Sequence, residues 1–205
     1  MHSGDFTSTG TQAECQKFHD FVASLPHVHK IIIAGNHDIT LDQAYYTASG
    51  QERFHGRSPQ DHNACRRILT DSKDLIYLED NGITIQGLNF WGSPWQPEFC
   101  DWAFNRTRGP SIKEKWDLIP EGVDILITHG PPYQQGDQCK DGFQAGCVDL
   151  LEAIDRINPL AHIFGHIHEA YGVTMRNTTT FINASTCTFF YRPTNPCIVM
   201  DVAIG

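Results

Sequence analysis

The chain has 205 residues, about the length of one domain, so we expect a single domain over residues 1–205. Its hydrophobic content of 40%, with 12 Phe, 4 Trp and 6 Tyr, is enough for a substantial core and excludes a globally disordered protein. The net charge of −9 excludes a broad basic surface for nucleic-acid polymers or anionic membranes, so any phosphate must be bound locally, for example by a metal.

The first half of the chain alternates helix and strand patterns. Apolar residues at three- and four-residue intervals predict an amphipathic helix over residues 11–25, with Thr9 or Thr11 as its N-cap. A β-branched run over residues 28–34 predicts a buried strand that leads into the polar turn at residues 35–38. The next patterns predict a helix at 59–72, a strand at 75–78, a hairpin at 82–92 and an irregular aromatic-rich loop at 94–110.

The second half repeats the arrangement of an apolar strand followed by a histidine-containing turn. A helix is predicted at 111–118, and the strand at 123–128 runs directly into His129. After a Gly- and Gln-rich loop, a helix is predicted at 147–157, and the strand at 161–164 leads into the turn at 165–168. Strands at 171–175, 178–183 and 197–204 complete the prediction.

Cysteine usage and the absence of targeting patterns predict a cytoplasmic location. The 7 cysteines lie at irregular spacing without a Cys-x-x-Cys pair, which indicates reduced thiols rather than a disulfide framework or a zinc knuckle. The first residues lack the basic and apolar regions of a signal peptide, and no apolar run reaches the roughly 20 residues needed to span a bilayer.

Polar side chains with metal-binding chemistry follow several of the predicted strands. Ligands of open α/β sheets bind beyond the carboxyl ends of strands, where loops from several strands converge. The side chains supply oxygen and nitrogen donors suited to Zn, Mn or Fe. The segments are Gly4-Asp5, Gly35-Asn36-His37-Asp38, Thr128-His129-Gly130 and Gly165-His166-Ile167-His168.

The order of these segments resembles the calcineurin-like metallophosphoesterases, and within them the metallophosphoesterase-domain-containing proteins. The resemblance covers nearly the whole chain and includes Trp91-Gly92-Ser93-Pro94-Trp95 and Ile182-Asn183-Ala184-Ser185. It implies an α/β (α+β) fold in which a β-sandwich is flanked by helices. It also implies a dinuclear metal centre at the rim of the sandwich that hydrolyses phosphoester bonds.

The resemblance implies a role for each candidate metal ligand. Asp5 would bridge both metals, and Asn36, His129 and His166 would complete the second-metal site. His168 would bind the first metal. The cofactors would be divalent ions, Mn, Fe or Zn, with two in complete relatives.

The resemblance also implies two catalytic residues beside the metals. His37 would stabilise the phosphate or act as a general acid toward the leaving alkoxide. Asp38 would orient His37. Two adjacent metal ions can activate a bridging water and stabilise the attacking and leaving oxygens during in-line displacement.

The chain departs from the family pattern at its start. The Asp-x-His motif of the family precedes Gly-Asp by some tens of residues, whereas Gly4-Asp5 stands at the beginning of this chain. We therefore expect an N-terminally truncated form: an isoform, an alternative gene model or a fragment. Because the first metal would keep only Asp5 and His168, we expect about one tightly bound ion and weak phosphodiester hydrolysis.

The favoured function is a metal-dependent phosphodiesterase that acts on cyclic nucleotides or related phosphodiesters. One alternative is a noncatalytic metal- or nucleotide-binding regulatory isoform, and another is a hydrolase that uses a single metal at the second site. The expected partner is a small phosphoester or nucleotide, while protein partners stay open. Aromatic residues could stack a nucleobase, although core or loop packing is the favoured interpretation; they are Trp91, Trp95, Trp102 and Phe104.

Overall fold

The computed structural model describes residues 1–202, which form two main β-sheets with helices on their outer faces. The strands are β1 (His2–Ser3), β2 (Ile31–Ile33), β3 (Ile76–Tyr77), β4 (Asn81–Ile85), β5 (Leu88–Ser93), β6 (Gln96–Pro97), β7 (Asn105–Arg106), β8 (Ile125–Thr128), β9 (Ala161–Phe164), β10 (Gly172–Arg176) and β11 (Thr179–Asn183). The helices are α1 (Gln12–Ser24), α2 (Gln43–Tyr45), α3 (Gln51–His55), α4 (His62–Thr70), α5 (Pro110–Trp116) and α6 (Val148–Ile157).

Parallel pairing brings the polar strand ends of each sheet to one edge. The small sheet has the order β1-β2-β3, and both of its pairings are parallel. The large sheet has the order β10-β11-β9-β8-β5-β4, in which β5, β8, β9 and β11 are parallel. Its two edge strands, β4 and β10, pair antiparallel with their hairpin partners. Because parallel strands end at the same edge, the turns after β8 and β9 are neighbours.

Side-chain alternation within the strands explains the sandwich. In β2, Ile31 and Ile33 point into a core between the sheets, and Ile32 points to the core under α1 and α4. In β8, Ile127 faces the same inter-sheet core, while Leu126 packs under α5 and α6. A strand buried on both faces reads as a continuous apolar run, as both strands do here. The α/β fold and the β-sandwich flanked by helices are therefore confirmed.

Several sequence-based element predictions agree with the structure, and three differ. Thr11 is the N-cap of α1 and forms a capping box with Glu14. The loop predicted at 94–110 contains the short parallel pair β6 and β7, which local pattern did not indicate. Residues 39–55, for which no element was predicted, form helical turns around α2 and α3. The strand predicted at 197–204 is wrong for residues 197–202, which have no strand, and residues 203–204 lie outside the described residues.

Within residues 1–202, no helix is both long enough and apolar enough to cross a membrane.

Candidate metal centre

The strand ends of both sheets bring the candidate ligands together. Asp5 follows β1, Asn36 follows β2, His129 follows β8, and His166 follows β9. The ligand atoms of Asp5, His129 and His166 all lie within 4.8 Å of one another. Among residues 1–202 these three form the one group of His, Cys, Asp and Glu side chains with this spacing. Both sheets therefore contribute to a single cluster.

The hydrogen bonds of His129 show that the cluster fits a cation. Its Nδ1 lies 2.8 Å from the carbonyl oxygen of Ser3, which can only accept, so Nδ1 carries a proton. Its Nε2 lies 2.9 Å from Asn36 Oδ1 and 3.2 Å from Asp5 Oδ2. These two oxygens are also acceptors. The lone pair of Nε2 therefore faces the lone pairs of both oxygens, and this contact is repulsive unless a second proton or a metal ion lies between the three atoms. This oxygen and nitrogen donor set fits Zn, Mn or Fe.

The electrostatics of Asp5 and His129 show that the cluster attracts positive charge, either a proton on His129 or a cation that displaces it. Burial opposes charge on Asp5, but the neighbouring His129 outweighs it and holds the pKa of the carboxyl below its usual range. Burial also opposes charge on His129, yet the Asp5 carboxylate outweighs burial and raises the pKa of the imidazole. Each group thus stabilises the charged form of the other. The anionic Asp5 is the form that a metal ion requires.

Two of the candidate ligands, Asp5 and His166, have unusual backbone conformations. Asp5 has φ of 58° and His166 has φ of 67°, both in the left-handed region that residues other than glycine rarely adopt. Such conformations persist where the surroundings fix them, and they concentrate at functional sites. The backbone N–H of His37 donates to Asp5 Oδ1 at 2.8 Å and leaves Oδ2 to face His129. The local backbone therefore orients the carboxylate toward the cluster.

The two histidines after β9 differ in their surroundings. The His166 ring lies 4.9 Å from the His129 ring, and burial, aided by the nearby His129, lowers the pKa of His166 to about 3. His166 is therefore neutral and able to offer a lone pair at neutral pH. His168 lies outside the cluster of three, its ring packs edge-on against Tyr191 at 5.0 Å, and burial lowers its pKa.

His37 lies beside the cluster with one nitrogen engaged. Its Nδ1 is 3.0 Å from the carbonyl oxygen of Ser8, so this nitrogen carries a proton and Nε2 is the nitrogen left for a substrate. The Trp102 ring packs against the imidazole at 4.3 Å between centroids. A carbonyl and an indole therefore fix the ring.

Asp38 has a different position from the one expected. The sequence analysis expects it to orient His37, but the partner of the His37 ring is Ser8. Asp38 is fully buried, and its carboxylate accepts the backbone N–H groups of Gly35 at 2.7 Å, Asp5 at 3.0 Å and Thr7 at 3.0 Å. Burial and the neighbouring Asp5 raise its pKa to about 7. Asp38 thus joins the loops after β1 and β2 beneath the site.

Three partners of the site residues were not found from the sequence. The carbonyl groups of Ser3 and Ser8 fix His129 and His37, and no sequence pattern marks a carbonyl acceptor. Asn183 in β11 donates to the carbonyl oxygen of Ile167, between the two histidines after β9, at 2.8 Å. Its place in Ile182-Asn183-Ala184-Ser185 was the available signal, because that segment is part of the family resemblance.

Close packing makes glycine necessary next to the ligands. A Cβ atom on Gly35 would overlap Asp5 Oδ1 and would lie 2.6 Å from both Asp5 N and His129 Cε1. No real Cβ tolerates such distances to backbone and buried ring atoms. Gly35 therefore allows the loops after β1, β2 and β8 to approach one another.

Comparisons with known proteins agree with this geometry. Residues 1–170 match the family model described as calcineurin-like phosphoesterase. Human metallophosphoesterase domain-containing protein 1 is 46% identical over 210 residues, which cover 98% of this chain and 64% of the human protein. UPF0046 protein T07D4.2 of Caenorhabditis elegans is 38% identical over 213 residues, which cover 98% of this chain and 54% of the worm protein.

A structural comparison supports the fold alone. The crystal structure of TT1561 of Thermus thermophilus superposes with a TM-score of 0.50 and 13% identity, over 87% of this chain and 72% of that one. The chain spans less than two thirds of the length of the human relative, at 64%. The family model matches residues 1–170, well over half of the chain, so the chain belongs to the calcineurin-like phosphoesterase family.

Proposed function

We propose that the chain is a divalent-metal-dependent phosphodiesterase for cyclic nucleotides or related small phosphodiesters. Membership of the calcineurin-like phosphoesterase family supports the broader activity, a hydrolase that uses divalent metal ions on phosphoesters. The observation that carries the proposal is the meeting of three lone pairs at His129 Nε2, Asn36 Oδ1 and Asp5 Oδ2. A divalent cation at this point satisfies all three.

In this proposal, Asp5, Asn36, His129 and His166 would hold one ion tightly, and His168 would contribute to a second, weaker site. The support is the division between the cluster within 4.8 Å and His168 outside it. A bound divalent ion supplies a Lewis acid that activates water and offsets the negative charge of the phosphoryl group. The ion is Mn, Fe or Zn, since the donors suit all three.

The chain's own residues then act on the leaving group. With Nδ1–H bonded to Ser8, His37 in its protonated form presents Nε2–H to the leaving oxygen. As the bond between phosphorus and that oxygen breaks, the proton moves from Nε2 to the oxygen, and an alcohol leaves instead of an alkoxide. Trp102 covers one side of the imidazole and limits its rotation. Asp38 takes part indirectly, through the loops that it joins.

A small phosphoester or nucleotide is the proposed partner, rather than a nucleic-acid polymer or a membrane. The net charge of −9 supports this choice because a polyanion would be repelled outside the metal site. The cytoplasm is the proposed location, and it is supported by the free state of all the cysteines, residues 15, 65, 100, 139, 147, 187 and 197.

Metal content and hydrolysis, measured on the same protein, test the proposal. We expect elemental analysis to find about one tightly bound ion, and we expect slow hydrolysis of bis(p-nitrophenyl) phosphate with added Mn. His129→Ala should lose both the ion and the activity, because it removes the donor at the centre of the cluster. His37→Ala should keep the ion and lose at least about 100-fold in kcat, the usual contribution of a general acid.

The exposed His27 provides the control, because it lies away from the strand ends. His27→Ala should keep the metal and the activity of the unmodified chain. Metal and activity retained in His129→Ala would contradict the proposed site, and two tightly bound ions would contradict the single-ion part. One bound ion without any turnover would favour the noncatalytic metal- or nucleotide-binding alternative.

A further inference from the structure

One cavity directly borders the candidate metal centre. It has a volume of about 250 Å³, and many of its lining residues are apolar. The lining also includes four of the candidate metal ligands, Asp5, His129, His166 and His168. His37 does not line this cavity. The cavity therefore meets the cluster on a different side from the proposed proton donor.

Ser185 lines this cavity with a hydroxyl that has no partner. The exposed fraction of Ser185 is 7%, and its Oγ makes no hydrogen bond within residues 1–202. Most buried polar groups are paired, because an unpaired one lowers stability. The other unpartnered buried side-chain atom of the lining is His2 Nδ1, whose ring packs edge-on against Phe18 at 5.1 Å. Ser185 therefore supplies an unused hydrogen-bond donor beside the metal centre.

The backbone of Ser185 is fixed on both sides, in contrast to its hydroxyl. Its N–H donates to Asn183 Oδ1 at 3.1 Å, and its carbonyl oxygen accepts from Asn195 Nδ2 at 2.9 Å. The Asn183 amide also donates to the carbonyl oxygen of Ile167 at 2.8 Å. One amide thus connects Ser185 to the turn after β9, which carries two of the candidate ligands. A donor whose backbone is held in this way is positioned before a ligand binds.

The Ser185 hydroxyl lies next to the backbone that joins two ligand-bearing loops. A Cβ atom on Gly165 would lie 3.6 Å from Ser185 Oγ, and Gly165 directly precedes His166. The N–H of Gly165 donates to the carbonyl oxygen of His129 at 2.9 Å. The hydroxyl is therefore close to the loops of His129 and His166.

We propose that the Ser185 hydroxyl donates a hydrogen bond to a nonbridging phosphoryl oxygen of the bound phosphoester. This inference rests on the proposed function and adds a substrate-binding residue to its site. The nonbridging oxygens of a phosphodiester carry negative charge and only accept, so the single hydroxyl proton is donated to them. Since the hydroxyl gives up no hydrogen bond to another residue, the new bond contributes to substrate affinity.

Stability and phosphate affinity should respond differently to Ser185→Ala. We would measure the urea midpoint of the Mn-loaded chain without phosphate, and Kd for inorganic phosphate by calorimetry on the same protein. The variant should unfold at an equal or higher urea concentration, because it removes an unpaired buried hydroxyl. Its Kd should rise at least about 10-fold, the usual effect of losing one hydrogen bond to a charged group.

Ser93 provides the matched control, since it is fully buried but its Oγ donates to Asp80 at 2.8 Å. Ser93→Ala should lower the urea midpoint and keep Kd within about twofold, because the lost hydrogen bond is internal to the protein. Ser185→Thr retains the hydroxyl, so it should bind phosphate within about threefold of the unmodified chain.

Three results would overturn the inference. An unchanged Kd in Ser185→Ala would mean that the hydroxyl faces only water in the cavity. Equal weakening in Ser185→Thr and Ser185→Ala would show that the hydroxyl is not the cause. A lower urea midpoint together with weaker phosphate binding in Ser185→Ala would mean that the hydroxyl supports the fold instead of the ligand.

Hydrolysis of bis(p-nitrophenyl) phosphate by the unmodified chain separates this inference from the proposed function. If the unmodified chain hydrolyses this substrate and Ser185→Ala has the same Kd for phosphate, the Ser185 contact is wrong and the phosphodiesterase proposal stands. If the unmodified chain neither hydrolyses the substrate nor binds phosphate, the proposed function is wrong together with the inference.

Discussion

The two sheets hold their halves of the candidate site with different chemistry. On the small-sheet side, the Asp38 carboxylate accepts backbone N–H groups from Gly35, Asp5 and Thr7. On the large-sheet side, the Asn183 amide donates to the carbonyl oxygens of Ile167 and Gly136 at 2.8 and 2.9 Å. A carboxyl group whose oxygens accept holds the loops where N–H groups converge, and an amide NH₂ that donates holds them where carbonyl groups converge.

The difference also lies in how far along the chain each anchor is found. Asp38 closes its own turn, and it is only three positions from Gly35. Asn183 is 16 positions from Ile167 and 47 from Gly136, so the turn after β9 depends on β11 being paired with β9. The small-sheet turn is built by its own motif, whereas the large-sheet turn needs the sheet to form first.

Replacing each anchor residue by the residue type of the other, Asp38→Asn and Asn183→Asp, should lower the free energy of unfolding the most. In Asp38→Asn, an amide NH₂ must face N–H groups, because both carboxylate oxygens accept from the backbone. In Asn183→Asp, a carboxylate must face two carbonyl oxygens. Each change leaves several buried groups unpaired or repelling, so we expect each to lower the free energy of unfolding by about 4 kcal/mol in urea denaturation.

A substitution at Thr7, a hydrogen-bond partner of Asp38, shows how much the loss of one hydrogen bond to this carboxylate costs in stability. Thr7→Val removes the hydroxyl that donates to Asp38 Oδ1 at 2.7 Å and leaves the backbone N–H bond in place. We expect it to cost about 1 kcal/mol. If Asp38→Asn were as mild as Thr7→Val, the carboxylate would not be the anchor of the small-sheet side.

A glycine in each turn allows the packing on the two sides to be compared. A Cβ on Gly35 would lie 2.6 Å from Asp5 N, but a Cβ on Gly165 would meet only Ser3 Oγ at 3.1 Å and Ser185 Oγ at 3.6 Å. We expect Gly35→Ala to cost about 2 to 3 kcal/mol and to lose the tight metal ion, because overpacking displaces the ligands. Gly165→Ala should cost less than about 1 kcal/mol.

Denaturation in urea and elemental analysis of both glycine variants check this prediction. Equal costs in the two variants would show that the loops after β1 and β2 can move apart, and that their close approach is not needed. Loss of metal from Gly165→Ala alone would place the sensitive contacts on the large-sheet side.

Local signals explain which parts of the fold were predictable. The helices α1, α4, α5 and α6 and the buried strands have strong periodicity, and the box of Thr11 and Glu14 marks a helix start. Residues 39–55 lack such a signal, since their turns change from 3-10 to α to π geometry and end at Gly50 before α3. A changing helical period has no single apolar spacing to detect.

The C-terminal segment shows why alternation alone is insufficient. Ile198, Met200 and Val202 alternate along the sequence, and all three pack against the inter-sheet core. The segment nevertheless forms no strand within residues 197–202. The alternation of apolar residues therefore predicted correctly which side chains face the core. Strand formation also requires a neighbouring strand whose backbone N–H and C=O groups are free to pair.

The same distinction applies to the candidate site. Side-chain identity at strand ends predicted which residues converge, because parallel strands end at one edge. The partners of those side chains were not predictable when they were carbonyl groups, as for Ser3 beside His129. Trp102 was named among the aromatics, but its contact with His37 depends on the folding of a long loop.

On the large-sheet side a second uncharged side chain, His162, also holds a turn next to the site. Thr128 Oγ1 donates its one proton to the carbonyl oxygen of Gly130 at 2.8 Å, so it must accept from His162 Nε2 at 2.7 Å. His162 is fully buried, and burial lowers its pKa to about 3. Its ring therefore holds the turn beside His129 only as a neutral donor.

This neutrality predicts a pH-dependent loss of stability. Between pH 6.5, the ordinary histidine pKa, and about 3, the unfolded chain binds a proton at His162 that the folded chain excludes, so stability falls as the pH falls. His162→Gln retains an N–H donor toward Thr128 and does not titrate. Urea denaturation from pH 7 to 4.5 should show a dependence shallower by about 1 kcal/mol per pH unit in the variant. If the free energy of unfolding changed with pH equally in the unmodified chain and in His162→Gln, His162 would take up a proton in the folded state without loss of stability. The large-sheet side would then not depend on a neutral His162.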